Sequence, residues 1–123
     1  MDALATKKDG NHPNNWNTSN VTNMASMFRY DTSLVNISGL ANWDTSKVTS
    51  MVYMFDGDTS LTSISPIKGW NVSSVTATAG STSSSTNKFY LMFSSVPSSA
   101  TSGFFFTNRQ GTINSSGTYV PSS

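Results

Sequence analysis

The chain has 123 residues, of which only 11% are charged, with a formal net charge of +1; that length supports one domain with a modest core. Cysteine is absent, which excludes a disulfide framework and thiolate metal sites. No Lys/Arg cluster marks a nucleic-acid footprint, and no apolar run is long enough to span a bilayer.

Residues 1–15, "MDALATKKDGNHPNN", are polar and lack the apolar stretch of a signal peptide. They are expected to cap the rest of the chain only weakly. Further repeats or domains are therefore expected before them in the native protein, with this chain a mature form or fragment.

From Trp16 the sequence repeats. Trp16, Trp43 and Trp70 are spaced by 27, and aligning 16–42 with 43–69 without gaps matches 14 of 27 positions. The shared residues include Val21/Val48, Met24/Met51, Met27/Met54, Phe28/Phe55, Asp31/Asp58, Leu34/Leu61 and Ile37/Ile64. In each unit Val48, Met51, Met54 and Phe55, or their counterparts, fall at steps of three and four, which predicts a short helix. Asp44, Thr45 or Ser46 would cap it. "TSLTSISPI" then predicts a short strand ending in a bend, since Pro66 and Gly69 oppose a longer one. A unit this small cannot bury its apolar side alone. Stacking units joins those side chains into one column, with the tryptophans as a ladder. A third unit, 70–93, opens as "WNVSSVT", and "FYLMF" (Phe89–Phe93) fits the slot of "MVYMF". Between them an insertion of about 11 small and polar residues, near 77–88, reads as a surface loop. Residues 94–123 match no repeat. Phe104–Phe106, Ile113, Tyr119 and Val120 predict one or two strands that close the C-terminal end of the stack, because three adjacent phenylalanines left in water would aggregate.

Catalysis finds little material. Glutamate is absent and His12 is the only histidine, so a Ser-His-Asp triad would need that terminal residue held in place. Paired carboxylates for glycoside hydrolysis would have to come from Asp31, Asp44, Asp56 and Asp58, but Asp31 and Asp58 share one repeat position, where a local side-chain-to-backbone cap is the ordinary role. "DGDTS" (Asp56–Ser60) resembles part of a calcium loop without the later ligands and reads as a turn. The chain is expected to be no enzyme and to need no cofactor or metal.

The pattern "W[DN]TSxVTxMxxMF", with "LTSI" after it, resembles the BspA-like leucine-rich repeat of bacterial surface proteins, in its Trp-containing variant from lipoproteins and wall-anchored proteins of mycoplasmas and lactobacilli. The resemblance covers Trp16–Ile67 strongly and Trp70–Phe93 in part. It implies an α/β fold, a short right-handed leucine-rich-repeat-like solenoid of helix–turn–short strand units, here with a β-rich C-terminal cap. It also implies a place outside the cell or on its surface, and a role in adhesion or other recognition. It supplies no catalytic residues.

Positions where the copies differ, or where strand side chains point away from the core, are the candidates for binding. They are Arg29 and Tyr30 at the turn, and Val35, Asn36, Ser38, Thr62, Ser63 and Ser65 along the strand face. Arg and Tyr are common binding hot spots, and the hydroxyl and amide face suits an uncharged partner. The expected partner is a host protein or glycan. The alternative is a structural subunit or spacer that self-associates through its repeat ends.

Overall fold

The spacing of the repeat is carried into the backbone as hydrogen bonds between units. In the computed structural model, which describes residues 16–123, the N–H groups of Met24, Ser26, Phe28 and Tyr30 donate to the carbonyls of Ser50, Val52, Met54 and Asp56 at 2.7–3.0 Å. Met51, Tyr53, Phe55 and Gly57 donate in the same way to Lys88, Tyr90, Met92 and Ser94 at 2.8–3.1 Å. The second set spans 11 residues more than the first, so residues 77–87 are the insertion.

The helix expected over these segments does not form. The N–H groups between the cross-linking ones turn back three residues: Met54 to Met51, Asp56 to Tyr53 and Asp58 to Phe55, at 3.1–3.2 Å. An α-helix would spend every N–H on its own carbonyl four residues back and leave none for the neighbouring unit. The chain instead makes three overlapping tight turns per unit, and the first and last of them have a left-handed third residue. Those residues recur in register. Ser26, Tyr53 and Leu91 have φ of 60°, 61° and 50°, and Tyr30, Gly57 and Ser95 have 62°, 82° and 65°. A non-glycine residue there costs about 1–2 kcal/mol, and the cross-unit bonds offset it. Apolar steps of three and four fit these turns as well as a helix, which is why periodicity did not separate them.

The expected strand is reduced to a single parallel bridge, Asn36 to Ser63, and a second bridge, Asn23 to Ser50, falls in the segment expected as helix. After the first of these the chain bends into 3-10 turns, Ser38–Leu40 and Ser65–Ile67. Pro66 opens the second turn, where its missing N–H costs nothing.

Side chains stack in the same register. Trp16, Trp43 and Trp70 form a ladder with ring centroids 5.9 and 6.1 Å apart. Phe28, Phe55 and Phe93 form a second at 5.6 and 5.9 Å. The Trp70 indole N–H donates to the Leu40 carbonyl at 2.9 Å, inside the core. The repeated "[DN]TS" caps a turn rather than a helix. The Asp44 carboxylate accepts from the Ser46 N–H and hydroxyl at 3.0 and 2.6 Å, which holds its pKa below the ordinary value. Buried Thr45 donates to the Asn71 carbonyl of the next unit at 2.9 Å.

The insertion is anchored by Asn87, which is fully buried. Its amide donates to the Ser81 and Tyr119 carbonyls at 2.8 and 3.0 Å, and its oxygen accepts from the Phe89 N–H at 2.8 Å. Beyond the third unit lie one helical turn, α1 (Ser98–Thr101), and an antiparallel hairpin of β1 (Gly111–Ile113) and β2 (Tyr119–Pro121). Phe104 packs edge-on to Phe93 at 5.9 Å, Phe106 stacks on Phe89 at 5.8 Å, and Tyr119 meets Phe106 at 4.9 Å. Arg109 fastens this cap to the third unit by donating to the Val72, Val75 and Ala77 carbonyls at 3.1, 2.6 and 2.8 Å. Residues 1–15, including the expected N-terminal cap and His12, lie outside the described residues.

Candidate functional site

The two copies disagree at Arg29/Asp56 and Tyr30/Gly57, and the stack sets these residues against each other. Arg29 Nε donates to Asp56 Oδ2 at 2.8 Å, a bond that raises the guanidinium pKa above its ordinary value. The guanidinium lies 4.0 Å from the Tyr53 ring centre and 4.7 Å from that of Tyr30. Tyr53 in turn meets Tyr90 edge-on at 5.8 Å. Tyr30 lies over Gly57, where an added Cβ would come within 2.5 Å of the ring. Tyr30 and Ser95 adopt a similar positive φ at the equivalent positions, so glycine is needed at 57 for the space under the ring. The result is a strip, Tyr30–Arg29–Tyr53–Tyr90, that crosses three units with Tyr30 65% exposed. The ion pair is part-buried, and it fixes the guanidinium between two rings.

Sequence reasoning reached Arg29 and Tyr30 but missed Tyr53 and Tyr90. The signal was available: Tyr53 stands where the first unit has Ser26, and Tyr90 where the second has Val52.

The strand-face candidates form a second patch. The Val35 carbonyl accepts from both the N–H and the hydroxyl of Thr62 at 3.2 Å, and the Val35 side chain is 48% exposed. Asn36 and Ser63 are less available than expected. Asn36 Oδ1 accepts from the Ser38 N–H at 2.7 Å. Ser63 Oγ accepts from the Ser65 N–H at 3.1 Å and donates to Ser65 Oγ at 3.0 Å. These side chains start the 3-10 turns. Among the described residues no hydrogen bond or ring contact joins this patch to the tyrosine strip.

The second of the repeated aspartates is not a local cap. Asp58 is fully buried and its Oδ1 accepts from the Asp31 N–H, one unit away, at 2.8 Å. Its Oδ2 has no hydrogen-bond partner, and burial pushes its pKa up to about 8. Asp56 is occupied by Arg29 and Asp58 by the stack, so "DGDTS" is structural. Among the described residues no cluster of three or more His, Cys, Asp or Glu is placed to hold a metal, and no helix is long and apolar enough to cross a membrane.

No curated protein and no solved structure matches the chain. A family model does, over residues 2–101, a span that includes all three units. The chain belongs to the family described as "Mycoplasma protein of unknown function, DUF285".

Proposed function

We propose that the chain is a non-enzymatic recognition module of a bacterial cell-surface or secreted protein, built as a short solenoid of the BspA-like leucine-rich-repeat type and binding a host protein or glycan. The tyrosine strip carries this reading. The repeated residues are occupied in the column, whereas Tyr30, Arg29 and Tyr53 break the repeat, lie at the surface and hold one another in place. Aromatic and Arg side chains fixed in advance lose little entropy on binding. The strip is small against a standard interface, so the Val35–Thr62 patch is a candidate to extend the contact. A stackable subunit of a surface filament is less favoured, because Phe104, Phe106 and Tyr119 already cover the rings of the third unit.

The test is a pair of arrays, host glycans and extracellular-matrix proteins, probed with the chain and its Tyr30→Ala and Arg29→Ala variants. A specific hit weakened at least tenfold by both changes, at unchanged melting temperature, is the expected result. A chain that binds neither array, and whose mass in light scattering rises with concentration, would support the filament subunit instead.

A further inference from the structure

A groove of about 680 Å³ lies at the C-terminal end, between the segment 93–105 and the hairpin. Its apolar lining comes from Phe93, Val96, Phe104, Phe105 and Ile113, its rim is largely serine and threonine hydroxyls, and it contains no charged side chain. Strand β1 forms one side. In the hairpin register Thr112 faces Val120, between the bonded pairs Gln110–Ser122 and Asn114–Thr118. Bonded and non-bonded pairs alternate in an antiparallel ladder, so the N–H and C=O groups of Gly111 and Ile113 point away from β2. No group among the described residues hydrogen-bonds them.

The two edges of this hairpin are treated differently. The outer edge of β2 is closed by the Gly80 N–H on the Pro121 carbonyl at 2.8 Å and by the Asn87 amide on the Tyr119 carbonyl. Open edges are usually blunted by being very short or by a charge, a proline or a bulge. β1, Gly-Thr-Ile, is short but carries none of the other three.

We propose that this groove binds an extended, uncharged peptide segment of a partner protein, which adds to β1 as a third strand. The open backbone groups call for another backbone, as in strand addition. The alternating side chains of such a strand would turn one set toward Phe104, Phe105 and Val96 and the other toward the hydroxyl rim. The absence of charge in the lining disfavours an acidic or basic segment, which would lose solvation without a partner. A second copy of the chain, paired β1 to β1, is the competing occupant; a mass in light scattering that doubles with concentration, in place of hexapeptide binding, would overturn the proposal in its favour. The site is independent of the tyrosine strip, and either can fail without the other.

The experiment uses the full chain and an array of capped, uncharged hexapeptides that alternate valine or phenylalanine with serine or threonine. The best binder is then studied by amide hydrogen exchange. Exchange at Gly111 and Ile113 should slow at least tenfold in the complex, while Thr112, already paired to β2, changes little. N-methylating one edge-facing peptide residue should weaken binding at least tenfold with the side chains kept. Ile113→Pro removes an outward N–H and is tolerated at an open edge; it should abolish binding, whereas Tyr30→Ala should leave it intact. The N-methyl result keeps the test valid if Ile113→Pro does not fold. Absence of any hexapeptide binder at millimolar concentration would overturn the proposal. So would binding that neither slows exchange at Gly111 and Ile113 nor responds to N-methylation, or an oligosaccharide that occupies the groove in place of every peptide.

Discussion

Phe55 in the repeat stack and Phe106 in the C-terminal cap are equally buried, but the backbone around them is held by different means. Around Phe55 every second N–H reaches a neighbouring unit, and those of Met54, Asp56 and Asp58 close four-residue turns. Each unit therefore depends on the next, and the same side chains recur because the same contacts recur. Around Phe106 the ties are singular. Arg109 donates to three carbonyls of the third unit. The Tyr119 hydroxyl donates to the Arg109 carbonyl and accepts from the Phe106 N–H. The stack spreads its stability over many equivalent bonds, while the cap concentrates it in two side chains. The difference implies two cooperative units of unequal stability, and substitutions in each region should separate them.

The largest effect belongs to the column. Met51 is fully buried between Met24 and Phe89 of the adjoining units, in the register set by the cross-unit bonds. Met51→Asp would place an unpaired charge there, a cost of several kcal/mol, comparable with the whole stability of a small domain. The expected outcome is loss of cooperative thermal unfolding by circular dichroism. A variant that still melts cooperatively would show that Met51 does not belong to the column.

The next effect is confined to the cap. Arg109→Met keeps much of the stem's packing and removes the donors, leaving the Val75 and Ala77 carbonyls without theirs. Hydrogen bonds from a charged group are worth about 1.5–3 kcal/mol each, and relaxation recovers part of the loss, so about 2–4 kcal/mol is expected. Amide exchange should quicken over 106–121 while 24–57 stays protected. Equal quickening in both regions would mean that stack and cap unfold as one unit.

The two regions also differ in how far the sequence reveals them. The ladders of tryptophan and phenylalanine, the place of the insertion and the burial of Met24, Met51 and Ile64 follow from recurrence alone, because any side chain that stacks on its counterpart must repeat. The backbone that presents them does not follow. A run of turns with left-handed residues at Tyr53 and Gly57 produces the same apolar spacing as a helix, and the left-handed residues that distinguish the two are Ser, Tyr or Leu at five of the six positions and Gly at one. In the cap, "GFFF" and "TYVP" announce burial and strands, but the role of Arg109 and the open edge of β1 depend on where the chain returns. For the tyrosine strip, Arg29 and Tyr30 were legible as departures from the repeat. Tyr53 was passed over because it lies within the segment read as helix.

The smallest effect lies inside the stack, where one repeated residue works against it. Asp58 is as deeply buried as the phenylalanines, and the unit that follows has Val96 at the corresponding turn position, with the same bond back three residues. Burial is the largest influence on its carboxyl and pushes the pKa up to about 8, against an acceptor bond from the Asp31 N–H that favours the charged form. The negative charges of Asp31 and Asp56 add to the rise. The unfolded chain releases this proton near the ordinary value of 3.8. Between about pH 4 and pH 8 the folded state therefore holds more protons, and stability falls as pH rises. The contribution is fully present below the unfolded pKa and is lost as pH passes through the folded one. Melting temperature should thus be higher at pH 5 than at pH 9, by an amount equivalent to at least about 1 kcal/mol. Asp58→Asn keeps an oxygen for the Asp31 N–H and cannot ionise, so its melting temperature should be nearly flat over that range and should exceed the parent's at pH 9. A parent that gains stability as pH rises, or an Asp58→Asn variant with the parent's slope, would place the titrating group elsewhere and leave Asp58 charged within the column.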